Sequence, residues 1–480
     1  MGHRTSKTKI AHSQSHHAIA GNHPKPYCAA TGRRPSPCIE IEELGGSFVA
    51  FVKDKFSYLS PKFNKLTDSR DSTRCRYTPA ELIWAALLMF LVRFGSRNQM
   101  DAQRNVGALP KAIASFAGRT LSDMPVDRQQ LTSCSDNIMR FLTTLPTEEL
   151  EEIELCIIKI LIQSRLFDGS RVFDRYYCII IDGSIREKCR KGFEHDGKTH
   201  AGCKYRYVLQ ASIVLFGHPI PLMQEHMDMV NPETEKEDCE INAARRLFPK
   251  LKTAFPRANL LIIGDALYAC RPIAKECKDY SWCFCFTFKQ GRTPAMWQEA
   301  LTLMDVTTEN VLEYDNKAES NADRRHGHIR WINDLEFSED KSNSLCVTAM
   351  EQYETYQGTQ THYAWISNVP GINQKNVMLL INATGRERHQ IEDQFNTQKN
   401  NGIGMEHVFC ADATASKNLY SIMQIAFILW TLFYHGLLKR VCKWAKTWSQ
   451  IAIAKCLSEA LRHIGGAPPG IKIGQLRFVT

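Results

Sequence analysis

Two short apolar runs constrain this chain more than anything else in it. In "RYYCIIIDGS" and "ANLLIIGDALY" the residues are apolar without alternation, and the runs stop at Asp182 and Asp265. A strand with one solvated face alternates, whereas an unbroken run marks a strand covered on both faces by other elements. The stretch between them fills in the rest. A second strand over about 205 to 216 turns through Gly217 and Pro219 and returns over about 220 to 227. "NPETEKEDCEINAARRLFPKL" reads as a helix with its acids massed in the first turn and its bases toward the end, which suits the macrodipole. "WCFCFTFK" makes a fifth strand. The order strand, hairpin, helix, strand, helix, strand predicts a mixed α/β sheet.

Helical sequence precedes this region, over 46–168. "TPAELIWAALLMFLVRFG" opens with Thr78 as N-cap, Pro79 at the first helical position and Glu81 three residues after the cap, and Gly95 closes it. Two further helical patterns cover roughly 126 to 144 and 147 to 166. After the sheet region (169–290), alternating segments such as "HIRWINDLEF", "NSLCVTAMEQY" and "HYAWISNV" mark 291–375 as a β-rich insertion. The α/β pattern resumes over 376–437, and 438–480 forms a basic C-terminal segment with helices.

Charge is modest in total and uneven in place. Sixty Lys+Arg against 51 Asp+Glu give +9, yet no acid precedes Glu40, and from Leu438 onward eight bases face only Glu459. Residues 1–45 read as a disordered basic tail, and both ends favour a polyanion, nucleic acid being the commonest. Seventeen cysteines, an odd number without CxxC, fit free thiols in a reducing cytoplasm, and the chain begins without the apolar core of a secretory signal. The His-rich opening with Cys28 and Cys38 matches no standard zinc spacing. The apolar stretch 419–438 is about long enough to span a bilayer, but Ser421, Gln424, Thr431 and His435 fall on one narrow arc. That pattern predicts a helix buried in protein with a thin polar seam, not a membrane span.

The candidate chemistry lies in carboxylates. Ligand sites in open α/β sheets sit at the carboxyl ends of strands, where Asp182 and Asp265 are expected on adjacent parallel strands. Such an acid needs a partner: a helix cap, a basic side chain or a metal. In "RERHQIEDQFNTQKN", Arg388, Glu392, Phe395 and Lys399 fall on one helical stripe. That stripe is either a solvated face with an i,i+4 ion pair or the third acid of a metal site with bases beside it. Three carboxylates meeting at one point suit a pair of Mg²⁺ ions, because hard cations take oxygen ligands and two of them can serve the attacking and leaving oxygens of a phosphodiester. Arg388 and Lys399 would then hold the anionic backbone.

The runs "IIIDGS", "LIIGDALY", "RYVLQASIVLFGHPIPL", "KEDCEINAARRL" and "GRERHQIEDQFNTQKNNGIGMEHVF" together resemble the DDE transposases of bacterial insertion sequences. The resemblance spans roughly 78–437. It implies an RNase H-like mixed sheet with a β-rich insertion, preceded by a helical N-terminal domain and followed by C-terminal helices; that helical module is either a DNA-end reader or a simple packing domain. It implies Asp182, Asp265 and Glu392 as the catalytic, metal-binding triad, two Mg²⁺ ions as cofactor with Mn²⁺ as a substitute, and cut-and-paste transposition as the activity. The family's helix signature of tyrosine, arginine, glutamate and lysine is matched by Arg388, Glu392 and Lys399, while Gly385 stands at the tyrosine position. By analogy Trp297 is a base-stacking residue, a core or loop tryptophan being the alternative, and Lys289, Arg186, Lys188 and Arg190 line a DNA channel, a solvated basic face being the alternative. The implied partners are double-stranded DNA, as terminal inverted repeats and target, and a second copy of the chain. The implied location is the cytoplasm, at the nucleoid. The rival readings are a metal nuclease that never joins strands and a DNA-binding protein without catalysis.

Overall fold

Both apolar runs are strands, and they lie side by side. The computed structural model describes residues 39, 43–119, 131–190, 198–200, 202–215, 217–227, 238–316, 324–337 and 345–463. Residues 1–38 and 40–42 of the expected basic tail, with its His-rich opening, the acidic run before Asp238 and the last C-terminal residues lie outside them; the tail does not extend to residue 45, because Ile39 is buried with its carbonyl accepting from the Trp444 indole and Leu44 opens the first helix. Strand β1 (Tyr177–Cys189) pairs parallel with β5 (Leu260–Gly264), from Tyr177 opposite Leu260 to Ile180 opposite Ile263. Ile179, Ile180 and Ile181 and the first four residues of β5 are almost wholly buried, as unbroken apolar runs require.

On its other edge β1 pairs antiparallel with β3 (Cys203–Leu215), which pairs in turn with the short β2 (Lys198–His200) and with β4 (His218–Met227). Beyond β5 comes β6 (Cys283–Thr287), parallel to it. The sheet does not stop there. The antiparallel strands β7 (Val311–Asn316), β8 (Arg325–Glu336), β9 (Cys346–Tyr356) and β10 (Thr359–Ser367) form a meander, and β10 joins β6 through Trp365, Ile366 and Ser367. The insertion therefore continues the central sheet, giving ten strands in the order β2-β3-β1-β5-β6-β10-β9-β8-β7, with β4 also on β3. The fold class is mixed α/β.

The N-terminal helices are α1 (Leu44–Lys55), α2 (Leu59–Phe63), α3 (Pro79–Leu91), α4 (Arg97–Gln103), α5 (Leu109–Phe116), α6 (Ser135–Thr144) and α7 (Thr147–Gln163). Helix α3 starts on the expected capping box, with Thr78 and Glu81 each accepting from the other's backbone N–H. It ends at Leu91, short of Gly95, because Arg93 already takes a left-handed φ of 60°. Helix α6 begins at Ser135, later than its periodicity suggested.

Helices α8 (Glu240–Ala254) and α9 (Arg271–Asp279) cover one face of the sheet: Arg246 of α8 grips Glu225 of β4, and Phe248 packs on Trp282 beside β6. Helix α10 (Pro294–Val306) packs on β8. The opposite face carries α11 (Val377–Ala383), α12 (His389–Asn400) and α13 (Ala413–Phe433). There Ser212 donates to Gln394 of α12, and Tyr420 of α13 donates to Gln210.

Helix α13 explains the stretch that imitated a membrane span. It is long and apolar enough to cross a bilayer, but 94% of its apolar window is buried inside the fold, against α3, α6, α7 and β4. The polar arc is a hydrogen-bonded seam: Gln224 donates to Ser421, Gln398 donates to Gln424, and Asn418 donates to the carbonyls of Leu142 and Leu145 at the end of α6. A π-helical turn at Tyr434–Leu438 leads into α14 (Lys439–Val441), α15 (Trp444–Thr447) and α16 (Gln450–Arg462), the last packed on α1. Among the described residues every cysteine is a free thiol.

Candidate active site

The aspartates are positioned by strand register. Ile180 and Ile263 form the last parallel pair, so two residues further on Asp182 and Asp265 are level, on strands about 4.8 Å apart. One expectation needs correcting: β1 does not end at Asp182 but runs on to Cys189, held by β3 alone. Asp182 thus sits mid-strand where its β5 neighbour departs, and its own backbone is firmer than that of a strand terminus. Asp265 follows β5 directly and accepts from the Leu267 N–H at 2.8 Å, closing an Asx turn. Asp182 accepts from the Gly183 N–H at 3.0 Å.

The charged helix comes in over the Asp182 side of the sheet. It starts at His389, so residues 386–388 belong to the turn after α11 rather than to the helix. Arg388 nevertheless bridges the two elements, with Nη1 3.9 Å from Asp182 and Nη2 donating to Glu392 at 2.5 Å. Ile391, Phe395, Gln394 and Gln398 bury the inner side of α12. The structure therefore brings Asp182, Asp265, Arg388 and Glu392 toward the point where β5 ends beside the middle of β1.

Lys399 departs from this group. Seven residues past Glu392, about 10 Å along the helix axis, it pairs with Glu406 at 2.8 Å. Glu406 is itself stitched to the far part of β1, its N–H donating to Arg186 and its carbonyl accepting from Lys188. Lys289 is exposed just past the end of β6, on the same sheet end as the aspartates. Trp297 lies in the first turns of α10, half-buried against Phe288 and His362, so that part of the β-rich insertion is helical. Arg186 lines no channel and no solvated face: it is buried and donates to Ser416 of α13. Lys188 and Arg190 are exposed, with the Lys188 ammonium 5.5 Å over the Tyr205 ring.

Gly385 has a physical reason to be glycine. A Cβ there would lie 2.3 Å from the Trp365 indole, so the β10 tryptophan occupies the space a side chain would need. The next residue, Arg386, donates to Gln352, pairs with Glu354 at 2.9 Å and lies over the Tyr363 ring. The insertion thereby fixes the turn that aims Arg388, a connection without any periodic signal in the sequence.

A second residue also escaped the sequence reading. Helix α8 begins only at Glu240, so of the acids expected in its first turn this one alone is there. Glu240 reaches over Gly183 and accepts from the Tyr268 hydroxyl at 2.9 Å. Burial, and then the Glu240 charge, push the Asp182 carboxyl up to about 7; Asp265 and Glu392 add to this and Arg388 opposes it. Carboxylates crowding the partly buried Asp182 suit a divalent cation, which would relieve their mutual repulsion. Among the described residues no group of three or more acid, His or Cys side chains is already drawn round a single point, and Arg388 supplies the positive charge between Asp182 and Glu392. The sequence matches no protein-family model and no curated protein.

Proposed function

We propose that this chain is a DDE-type DNA transposase, cutting DNA at the ends of a mobile element and joining the freed 3′-OH to target DNA, on an RNase H-like core. The observation that carries this reading is that Asp182 and Asp265 come level two residues past the last parallel pair of β1 and β5, with Arg388 linking Asp182 to Glu392 across the gap to α12. The sheet order supports the core assignment: an antiparallel meander β4-β3-β1 followed by parallel β5 and β6, with helices on both faces.

The donors present fit hard divalent ions, Mg²⁺ with Mn²⁺ as a substitute. When bound, such ions would activate the attacking oxygen and stabilise the leaving one. Asp182, Asp265 and Glu392 would hold them, Asp182 first giving up the proton that its neighbours favour. Arg388 exchanges its carboxylate partners for the phosphate of the strand, since a guanidinium matches either fork. Lys289, exposed at the same rim, extends the contact along the DNA backbone. The partners in this reading are double-stranded DNA and a second copy of the chain, in the nucleoid.

The test supplies the protein and Mg²⁺ with the DNA that flanks its reading frame. Cleavage at inverted repeats on both sides, followed by joining of a 3′-OH end to a target plasmid, is the expected result. Cleavage without joined product would make the chain a nuclease instead, and protection of the ends without metal-stimulated cutting would leave a DNA-binding protein.

A further inference from the structure

A carboxylate that belongs to none of the three triad positions lies over Gly183, the residue next to Asp182. It is Glu240, at the first turn of α8. A glutamate there commonly does no more than complement the helix dipole, a contribution of about 0.3–1 kcal/mol. Here the side chain is turned toward the sheet. Its carboxyl lies where a Cβ of Gly183 would be, 2.4 Å from that ideal position, so the absence of a side chain next to Asp182 is what admits it.

Tyr268 holds Glu240 in this position. This tyrosine is fully buried, its ring packs against Gly264 at the end of β5, and its hydroxyl donates to Glu240 at 2.9 Å. A phenol has one hydrogen to give, and a buried one needs an acceptor. Tyr268 stands three residues after Asp265, in the turn that Asp265 itself closes, so one short loop positions both acids.

We propose that Glu240 is a fourth carboxylate of this site, binding a divalent cation together with Asp182, and that Tyr268 is the positioning residue that holds it there. The proposal rests on the metal-site reading above and assigns that site a ligand from the opposite face of the sheet to α12. Glu240→Gln is a clean probe, because the amide oxygen still accepts from Tyr268 while the charge is lost. Tyr268→Phe removes the clamp and keeps the ring.

The experiment titrates Mn²⁺ into the full chain without DNA, reading free Mn²⁺ by electron paramagnetic resonance, for wild type, Glu240→Gln, Tyr268→Phe and Asp182→Asn. Thermal unfolding of each variant checks the fold. Glu240→Gln should weaken Mn²⁺ binding roughly tenfold or more, and Tyr268→Phe should weaken it by a smaller factor, with the unfolding midpoint of Glu240→Gln unchanged. Binding that falls in Asp182→Asn but not in Glu240→Gln overturns the proposal and leaves the metal site standing. Absence of Mn²⁺ binding by the wild type overturns both. Weakened binding in Glu240→Gln, in a protein that cuts no DNA, upholds the proposal and removes the transposase reading.

Discussion

Asp182 and Glu392 face each other across Arg388, yet the molecule holds them in opposite ways. Asp182 stands on a strand clamped by β3 and β5, its side chain 19% exposed. Glu392 stands on the outer side of a helix, 53% exposed, with an arginine as its neighbour. The sheet fixes its acid by backbone register and apolar burial. The helix fixes its acid through a hydrogen-bonded seam beneath it, where Gln394 meets Ser212 and Gln398 meets Gln424, and through the insertion's grip on Arg386. An acid fixed by burial carries a stability penalty when ionised, whereas one fixed from below through its helix does not.

The largest expected effect tests whether the two acids nevertheless serve one reaction. Asp182→Asn, Asp265→Asn and Glu392→Gln should each reduce Mg²⁺-dependent cleavage of end-bearing DNA to background while binding of the ends persists. Cleavage and end binding measured side by side decide this. Full activity in any of the three removes that residue from the site. The comparison sharpens in the metal-free protein above neutral pH. There Asp182→Asn should stabilise the fold, by relieving a crowded buried charge, and Glu392→Gln should leave stability nearly unchanged.

The pH dependence follows with a definite sign. In the unfolded chain Asp182 ionises near the ordinary carboxylate value of about 4, whereas in the fold its carboxyl is pushed up to about 7. Between these values the folded state holds the extra proton, so stability is fully present below the lower value and falls as pH rises to the upper one. The loss is on the order of 2–4 kcal/mol for a shift of this size. Glu151, also pushed up to about 7 by its burial, acts in the same window, so the measurement must be the difference between wild type and Asp182→Asn. Denaturant unfolding in chelator at pH 5 and pH 8 provides it. Mg²⁺ should restore more stability at pH 8 than at pH 5, because it competes with the proton for the same oxygens.

The contrast also explains how much of the site was legible in the sequence. Asp182 and Asp265 announce themselves because burial on two faces writes an unbroken apolar run, and the acid interrupts it. Glu392 shows through its stripe with Arg388. Glu240 was hidden: its run of acids looks like a helix start, and only the position of the first helical residue distinguishes the one that turns inward. Arg386 and Gly385 were hidden for another reason. What they contact, Trp365, Gln352 and Glu354, lies 20 to 34 residues away on β10 and β9, whose attachment to the sheet through β6 leaves no local pattern. The buried helix α13 was legible because its polar residues keep a 3.6-residue period inside an apolar segment, although the period does not say which partners they meet.

The insertion's hold on α12 makes Gly385 a smaller but informative target. Gly385→Ala places a methyl group into the Trp365 indole, a contact that the buried β10 strand has little room to yield. Overpacking of this kind costs about 1–3 kcal/mol. Because the strain falls on the turn before Arg388, cleavage should drop more than the stability loss alone explains. Adding Trp365→Leu to Gly385→Ala should return part of both. If Gly385→Ala loses stability while cleavage per folded molecule stays constant, the turn does not aim Arg388, and α12 is positioned by its buried side alone.

Lys399 should give the smallest effect, and it separates the two ends of the helix. Its ammonium is paired with Glu406, both partners being partly exposed, and pairs of that kind contribute about 0–1 kcal/mol. Lys399→Met should therefore leave folding nearly intact at moderate salt. If Lys399 instead leaves Glu406 for a DNA phosphate, Lys399→Met lowers affinity for DNA ends and flattens the salt dependence by about one counterion's worth. Glu406→Gln would then act in the opposite direction, releasing the lysine and strengthening binding. An unchanged salt slope in both variants confines the lysine to bracing α12 against β1, and leaves the role at the DNA strand to Arg388 in the turn before the helix.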